Sequence, residues 1–336
     1  MKILIDHHQP FLLAHGGFRV QIEQTARALG ELGCEVEYLR WWDANQKADL
    51  IHFFGRPPSG MAYFAHQKAI PLVISDLLTA QGSRGIWQIR SQCMARSVIE
   101  KVMPASLLDR MSWRVYREAD AVVALTNWEA RLFCQLYGTP KTRLHVVPNG
   151  VDEAFFMREE TSESVDSSGE YLLCTATITE RKRVLELAEA ANLAGLRLLI
   201  CGKPYSFTDR YFQRFLNEVG TPRSVVQYVG EVVDRGEMAA LVRAARGFVL
   251  LSTMESQSLA ALEAAASGVP LLLSDLPWAR ETFGDHAQYC GSRSTSRELA
   301  GHLTKFWHSP VIKPIRPSTW KEVASRLIDV YRSVLP

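Results

Sequence analysis

The sequence predicts an α/β protein with two doubly wound parallel sheets. Its 336 residues suit two domains of ordinary size better than one core. Short runs of consecutive apolar residues alternate with segments of helical period, and such runs are typical of strands that helices cover on both faces. A polar, acidic stretch without periodicity, residues 158–170, separates two series of these runs. The expected strands are residues 2–6, 35–39, 50–54, 71–75, 121–126 and 144–147 in the first series, and 171–175, 196–201, 225–229, 247–252 and 270–274 in the second.

The two series predict two Rossmann-like domains that face a ligand-binding cleft. We expect a first domain over residues 1–157, a linker or surface loop over 158–170 and a second domain over 171–316. Residues 317–336 are expected to form a C-terminal helix whose apolar face needs a partner. Ligands of open α/β sheets bind beyond the carboxyl ends of the strands, so functional residues are expected in the loops that follow strands.

Charge and composition disfavour several classes of protein. The net charge is +2 with 22% charged residues, so no broad positive surface for nucleic acid is expected. The six cysteines are scattered without a CxxC pair, which indicates reduced core residues. The sequence shows neither a signal peptide nor an apolar run of membrane-spanning length, so the expected location is the cytoplasm. The histidines show no ligand spacing and there is no DxD pair, so no metal and no cofactor are expected.

Two carboxylates flank the start of one short helix in the second half, in the segment TMESQSLAALEAAASGVPLLLSD. Ser256 and Ser258 are candidate N-caps, and Gly268 is a typical residue after a helix C-terminus. Glu255 precedes this helix, and Glu263 lies within it among small apolar residues. The Glu263 carboxylate therefore either reaches solvent along a narrow stripe or faces a polar cleft that donates hydrogen bonds to it.

Two further loops carry residues that are suited to anions. Arg181, Lys182 and Arg183 lie between the first strand of the second domain and the next helix, where cations are unfavourable unless an anion is nearby. They suit a diphosphate, and a solvated helix start is the alternative. Gly16 and Gly17 precede a helix, where they either let a phosphate or sugar approach backbone N–H groups or form a tight turn. The sequence contains neither GxGxxG nor GxxxxGK[ST], which disfavours dinucleotide-binding dehydrogenases and P-loop enzymes.

Two other features leave their function open. Asp6, His7 and His8 end the first strand, where they either line the cleft or lie exposed on the surface. Residues 84–117, from Arg84 to Arg117, combine cations with apolar side chains in a helical period. Basic amphipathic helices of this kind either contact anionic membrane surfaces or are solvated helices with a buried stripe.

The chain resembles, over nearly its whole length, the retaining glycosyltransferases of GT-B architecture known as family 4. The PNGVD segment and the E-x7-E pair are together quite specific for that family. The residues that carry the resemblance are His15-Gly16-Gly17, the segments 49–52, 119–124 and 146–152, Glu255 and Glu263 in the E-x7-E arrangement, the segment 264–270, and the final helix over 320–331.

The resemblance implies how the two domains divide their roles. In the family, a nucleotide-diphosphate sugar binds mainly to the C-terminal domain, the acceptor binds mainly to the N-terminal domain, and the last helix crosses back to the N-terminal domain. By this resemblance Glu263 holds the ribose hydroxyls, Glu255 faces the donor sugar, and Lys182 meets the diphosphate in place of a metal. The implied donor-binding residues are Gly16, Gly17, Arg181, Lys182, Arg183, Gly202, Gly230, Glu255, Ser256, Gln257, Ser258, Leu259 and Glu263. The implied catalytic residues are Glu255, Lys182 and Asp76.

The sequence departs from the family pattern at two positions. Thr177 stands where family members usually carry an arginine shortly before the lysine. Asp76 stands nearest to the histidine that usually follows the strand expected at 71–75, a position that commonly contacts the donor sugar. These departures bear on phosphate binding and on the identity of the sugar.

The leading hypothesis is a retaining hexosyltransferase that uses a UDP-, GDP- or similar nucleotide sugar. Its acceptor is a glycan, a lipid-linked molecule or a small molecule, in cell-envelope or polysaccharide biosynthesis, with peripheral contact to the inner membrane face through residues 84–117 left open. Two alternatives remain. One is a nucleotide-sugar epimerase or phosphorylase on the same fold. The other is a catalytically silent glycan-binding or scaffold protein, which the two departures motivate.

Overall fold

The computed structural model describes residues 1–12, 16–108, 111–156, 170–310 and 315–336. They form two compact units: unit 1 is Met1–Gly150 with Trp320–Pro336, and unit 2 is Val151–Thr319. Of the expected linker or surface loop at 158–170, all but Glu170 lies outside the described residues, and so does His15.

Unit 1 is built on a six-stranded sheet in which every neighbouring pair of strands is parallel. Its strands are β1 (Lys2–His7), β2 (Glu35–Tyr38), β3 (Leu50–Phe54), β4 (Leu72–Ser75), β5 (Ala121–Ala124) and β6 (Leu144–Val146). The strand order is β2-β1-β3-β4-β5-β6, so the order reverses between β1 and β3. The helices, numbered along the whole chain, are α1 (Gly17–Glu31), α2 (Met61–Gln67), α3 (Thr79–Gly82), α4 (Ile86–Val102), α5 (Ala105–Leu108), α6 (Val115–Glu118), α7 (Asn127–Leu132) and, at the end of the chain, α14 (Trp320–Val334).

Unit 2 repeats this plan with a second parallel sheet of six strands. Its strands are β7 (Leu172–Thr175), β8 (Leu198–Cys201), β9 (Val226–Gly230), β10 (Gly247–Leu250), β11 (Leu271–Ser274) and β12 (Gln288–Cys290). Its helices are α8 (Val184–Ala194), α9 (Arg210–Val219), α10 (Arg235–Arg243), α11 (Leu259–Ala266), α12 (Pro277–Phe283) and α13 (Ser296–His308). The order β12-β11-β10-β7-β8-β9 is that of a dinucleotide-binding domain, with its switch point between β7 and β10.

The predicted fold class, α/β with two Rossmann-like domains, is confirmed. Every residue of β8, β10 and β11 is buried, as consecutive apolar runs between two helical layers require. The observed strands end one or two residues inside several of the predicted runs because burial continues into the loops, as at Leu251 and Ser252 after β10. The sequence pattern does not predict β12, because its three residues are only partly buried at Gln288 and Tyr289 and form no apolar run.

The C-terminal helix belongs to unit 1, where α14 packs along α1. One buried polar chain attaches it to the sheet. Nδ1 of His52 on β3 lies 2.7 Å from the Tyr331 hydroxyl of α14, and Nε2 lies 2.8 Å from Oγ of Ser75 on β4. Burial lowers the pKa of His52 to about 3, so the ring is neutral. One ring nitrogen donates a hydrogen bond and the other accepts one, and the partners are the two hydroxyl groups.

The glycine of the PNGVD segment is required by close packing against the start of α14. A Cβ at Gly150 would lie 2.7 Å from backbone atoms of Trp320. In unit 2 the next residue, Val151, donates its N–H to the Ser318 carbonyl at 2.9 Å and forms a bridge with Thr319. The two places where the chain passes from one unit to the other, residues 150–151 and 318–320, therefore lie side by side. The PNGVD segment needs its glycine because a side chain at Gly150 would collide with Trp320.

Tyr331→Phe should destabilise unit 1 by roughly 1–3 kcal/mol, because it leaves one nitrogen of a fully buried imidazole without its partner. The measurement is the free energy of unfolding in urea. The control is Tyr63→Phe, since Tyr63 is 60% exposed and should change stability by less than about 0.5 kcal/mol. Equal effects of the two substitutions would show that the His52 chain does not attach α14.

Candidate active site

The sheet of unit 2 brings two charged loops together at its switch point. β7 and β10 are neighbours, with Leu172 opposite Gly247, so the loops that follow them start side by side at the carboxyl edge. The loop after β7 carries Lys182, and the loop after β10 carries Glu255. Open parallel sheets bind ligands at this edge, beside the switch point. Two residues that lie 73 positions apart in the sequence are thereby in contact.

Contacts to the backbone hold these two loops against each other. The Arg181 carbonyl accepts a hydrogen bond from the Thr253 N–H at 2.8 Å, and Nη1 of Arg181 donates to the Met254 carbonyl at 2.7 Å. Residues Glu180–Lys182 form one 3₁₀ turn, which presents the two cations toward the second loop. The charged groups are therefore positioned before any ligand is bound, which lowers the cost of binding one.

Glu255 is largely buried, with 13% of its side chain exposed, and it faces both cations of the other loop. Its carboxylate contacts the Lys182 ammonium, and it lies 3.5 Å from Nη1 of Arg181 and 3.3 Å from Oγ of Ser252. Burial alone raises the pKa of Glu255, but the charges of Lys182 and Arg181 outweigh burial and hold the pKa below its ordinary value. The carboxylate is therefore ionised at neutral pH. The three side chains together carry one excess positive charge, which favours an anion at this edge.

Arg183 has a different position from the two cations before it. It adopts the left-handed region at φ 52° and is the N-cap of α8. Its guanidinium donates to the carbonyls of Ser292 and Ser294 in the loop after β12. The sequence pattern groups the three cations at one diphosphate; in the structure Arg181 and Lys182 contact Glu255, and Arg183 bonds to the loop after β12.

Glu263 lies in the second turn of α11, buried against a cation. α11 begins at Leu259 after the N-cap Ser258, whose Oγ accepts the Ala261 N–H at 3.4 Å. The Glu263 carboxylate contacts the guanidinium of Arg235. The sequence leaves open whether Glu263 reaches solvent or faces a group that donates hydrogen bonds to it. In the structure the Arg235 guanidinium is such a donor. Burial raises the pKa of Glu263, and Arg235 offsets part of that rise.

Arg235 is a site residue that no sequence signal identifies. It is the first residue of α10 and follows the N-cap Asp234, so the sequence indicates only an ordinary helix start at this position. Its guanidinium carbon lies 4.7 Å from the centre of the Phe155 ring, and its Nε is buried without a hydrogen-bond partner. Only the folded chain brings this side chain to Glu263, 28 residues away.

The remaining predicted residues of unit 2 lie at the same edge of the sheet. Ser256, Gln257 and Ser258 are buried between Glu255 and α11. Gly202 ends β8 at φ 143°, and a Cβ there would lie 1.9 Å from the Ala176 carbonyl oxygen, so backbone packing demands glycine. Its N–H donates to the Gly230 carbonyl at 2.7 Å at the end of β9.

The predicted residues of unit 1 lie at the carboxyl edge of its own sheet. Gly16 is the N-cap of α1 at φ 122°, and Gly17 is the first helical residue. Asp76 follows β4 and is half-buried, with Oδ1 accepting the Leu77 N–H at 2.8 Å and Oδ2 in contact with the Tyr116 hydroxyl. Burial raises the pKa of Asp76. Nε of Arg56 donates to the same hydroxyl at 2.8 Å, so a neutral phenol separates the acid from the cation.

One face of α4 is almost entirely exposed, within the segment that the sequence marks as basic and amphipathic. The exposed apolar side chains are Trp87, Met94, Val98 and Val102, at 76%, 69%, 54% and 76% exposure. Arg90, whose guanidinium lies 5.3 Å from the Trp87 ring centre, and Lys101 flank this stripe. The single acidic residue of the helix, Glu100, is paired with Arg96 and Arg117 on the protein side. Among the described helices, none has the length and apolar character needed to cross a membrane.

The structure thus joins Arg181, Lys182 and Glu255 in one cluster of unit 2, and pairs Glu263 with a cation of its own. Gly16, Gly17 and Asp76 belong to unit 1. In the described parts of both units, no three His, Cys, Asp or Glu side chains are grouped so that they could hold a metal ion.

The structure thus has two Rossmann-like domains, and the second carries charged loops at its switch point. Comparison with known families gives the class of protein. Residues 36–155 match the family described as Glycosyltransferase Family 4, and residues 157–325 match the family described as Glycosyl transferases group 1. The second match spans half of the chain, and the chain belongs to the glycosyl transferases group 1 family.

Named relatives are similar to the chain in sequence and in fold. A GDP-mannose:cellobiosyl-diphosphopolyprenol alpha-mannosyltransferase of Xanthomonas oryzae is 24% identical over 242 residues, which are 70% of this chain and 58% of that protein. The chain therefore spans less than two thirds of the length of this relative. A glycosyltransferase of Rickettsia africae has the same fold with a TM-score of 0.71 at 15% identity, over 99% of this chain and 98% of that one. HepE of Anabaena, in complex with UDP and glucose, gives a TM-score of 0.64 at 16% identity, over 99% and 98% of the two chains.

Proposed function

We propose that the protein is a retaining glycosyltransferase that moves a hexose from a nucleoside diphosphate sugar to a glycan, lipid-linked or small-molecule acceptor, without a metal ion. The observation that supports this most strongly is the cluster of Lys182, Arg181 and Glu255 at the switch point of unit 2. The family match and the UDP complex of HepE are consistent with it.

The charges at this cluster suit a departing diphosphate. Cleavage of the bond between the anomeric carbon and the phosphate leaves negative charge on the leaving group and positive charge on the sugar. Fixed cations that face the leaving group lower the barrier, because they interact more strongly with the transition state than with the bound donor. In the proposal Lys182 and Arg181 release the Glu255 carboxylate when the donor binds, and they contact the diphosphate in its place. Glu255 then lies beside the sugar, where its negative charge stabilises the positive anomeric centre.

Glu263 is the proposed ribose ligand. A buried carboxyl group that has one cation as partner can exchange that partner for a pair of hydroxyl groups without losing its hydrogen bonds. In the proposal the ribose takes the place of Arg235, which turns toward the base or the solvent. The backbone N–H groups at the start of α11, one turn before Glu263 in the same helix, form a positive helix end.

We further propose that α4 rests on an anionic membrane surface, with the protein on the cytoplasmic face and active in cell-envelope or polysaccharide synthesis. The stripe of Trp87, Met94, Val98 and Val102 is exposed, and Arg90 and Lys101 beside it complement anionic headgroups. The name of the Xanthomonas relative gives a polyprenol-linked acceptor, which also requires a membrane surface.

Glu263→Gln and the double variant Lys182→Met, Glu255→Gln should each weaken UDP or GDP binding by about 10- to 100-fold, because each removes a charge-assisted hydrogen bond. The double variant is used because Lys182→Met alone would leave Glu255 buried without its main cation. Calorimetry measures the affinity. Arg197→Met is the control, since Arg197 forms an exposed ion pair with Glu170 at the opposite edge of the sheet.

Unchanged affinity in both site variants would contradict the proposed donor site. NMR of a nucleotide sugar incubated without acceptor separates the epimerase from the transferase, because an epimerase converts the donor alone into an isomer of equal mass. Binding without any conversion in the presence of acceptors would favour a silent glycan-binding protein.

Arg90→Glu with Lys101→Glu should reduce co-flotation with phosphatidylcholine–phosphatidylglycerol vesicles by about tenfold or more, since each cation near an anionic surface contributes roughly 1 kcal/mol. Vesicles of phosphatidylcholine alone test the charge dependence. The control is Tyr63→Ser with Phe64→Ser, which removes two exposed aromatic rings of α2 without changing charge. The membrane proposal would be contradicted if the unmodified protein did not float with anionic vesicles. It would also be contradicted if the charge variant floated as well as the Tyr63→Ser, Phe64→Ser control.

A further inference from the structure

The carboxyl edge of the unit 1 sheet contains a buried acid that the donor site does not use. Asp6 lies on β1 opposite Phe53 of β3, at the point where the strand order reverses. Ligands of open α/β sheets collect outside the carboxyl ends of the strands at such a point. Unit 1 therefore has a ligand-binding edge of its own, and Asp6 lies on it.

Asp6 has one oxygen without a hydrogen-bond partner. The side chain is 6% exposed. Its Oδ1 accepts the His7 N–H at 2.8 Å and lies 3.4 Å from Nε1 of Trp41, whereas its Oδ2 is buried and has no partner. Burial raises the pKa of Asp6. A buried carboxylate oxygen without a donor is costly, so a ligand that offers a hydroxyl at this point would recover free energy.

One aromatic side chain, Trp41, lies beside this acid. It is 67% exposed although its indole nitrogen is directed to Asp6. The rings of His7, Phe11 and Tyr38 pack together at 4.3 to 6.2 Å, but His7 and Tyr38 occupy strand positions that face away from Asp6. The Trp41 ring therefore offers the acid its open flat face.

The loop that carries Trp41 is held in place by polar contacts. The Arg40 guanidinium bonds to Asp43 at 2.9 Å and to Glu37 at 2.8 Å, and the Arg40 N–H donates to Oε1 of Gln46 at 2.9 Å. Nε2 of Gln46 donates to Oε2 of Glu37 at 2.9 Å. The exposed indole is therefore fixed before a ligand arrives, which reduces the ordering cost of binding.

An exposed indole beside an acceptor-only oxygen selects a particular ligand chemistry. A carboxylate repels phosphates and other anions and accepts from hydroxyl groups. An aromatic face packs against the apolar C–H face of a saturated ring. A pyranose ring combines both groups, since its hydroxyls lie around a C–H face.

We propose that Asp6 and Trp41 form the sugar subsite of the acceptor, in which a pyranose packs on the Trp41 indole and donates a hydroxyl to Oδ2 of Asp6. This rests on the proposed transferase function, and it narrows the acceptor to a molecule that presents a neutral sugar ring. Lipid-linked glycans and free glycosides share this chemistry.

Saturation-transfer NMR with a panel of methyl glycosides and of cellobiose and maltose tests the subsite. At least one sugar should bind. Asp6→Asn should weaken its binding by about tenfold or more, because an amide oxygen is a weaker acceptor than a carboxylate oxygen, and Trp41→Leu should abolish the signal from the ring C–H protons. Phe64→Leu is the control, because Phe64 is 68% exposed on α2, close to the 67% of Trp41, and should leave sugar binding unchanged. Circular dichroism shows whether each variant is folded.

UDP and GDP affinity, measured on the same samples, separates this inference from the proposed function. Nucleotide binding with no bound sugar, or with sugar binding that is equal in all variants, would overturn the Asp6–Trp41 subsite alone. Sugar binding that depends on Asp6 and Trp41, without any nucleotide binding, would overturn the transferase and leave the subsite in place.

Discussion

Glu255 remains ionised inside unit 2 because Lys182 and Arg181 face it from the neighbouring loop. Removal of a carboxylate from water is costly, and adjacent charges of opposite sign offset that cost. That requirement fixes the two loops after β7 and β10 against each other at the switch point of the sheet. The same requirement leaves one positive charge in excess, so the site that the fold needs for its own stability is also a site for an anion.

A second carboxyl group in unit 2 is also paired with a cation, but there burial outweighs the cation and the pKa is raised. Glu263 is buried on α11, and Arg235 supplies the opposite charge. In both pairs a group of the chain occupies the place that a ligand group would take, the ribose at Glu263 and the diphosphate at Lys182. Ligand binding then replaces hydrogen bonds within the protein by hydrogen bonds to the ligand. The affinity depends on the difference in free energy between the site with its internal ion pairs and the site with bound ligand.

Local patterns predict much of the fold because strand burial and helix ends are encoded by neighbouring residues. The all-buried runs of β10 and β11, the N-cap Ser258 and the residue Gly268 at φ 73° are of this kind. Glu255 and Lys182 could also be selected from sequence, because charges are conspicuous beside apolar strands. Their contact could not be derived from spacing alone, since it depends on β7 and β10 being neighbours.

Other site features depend on tertiary structure. Arg235 resembles any cation at a helix start until the packing of α10 on Phe155 directs it to Glu263. Arg183 continues a run of cations in sequence, but its left-handed backbone turns it to another loop. Asp6 is one of three polar residues after a strand, and only the loop after β2 brings Trp41 to it.

The most direct measurement is a crystal structure of the protein soaked with UDP or GDP. We expect the diphosphate within hydrogen-bonding distance of the Lys182 ammonium, the ribose hydroxyls on Glu263, and Arg235 withdrawn from that carboxylate. A nucleotide bound elsewhere, with the Lys182–Glu255 and Arg235–Glu263 contacts both intact, would contradict it.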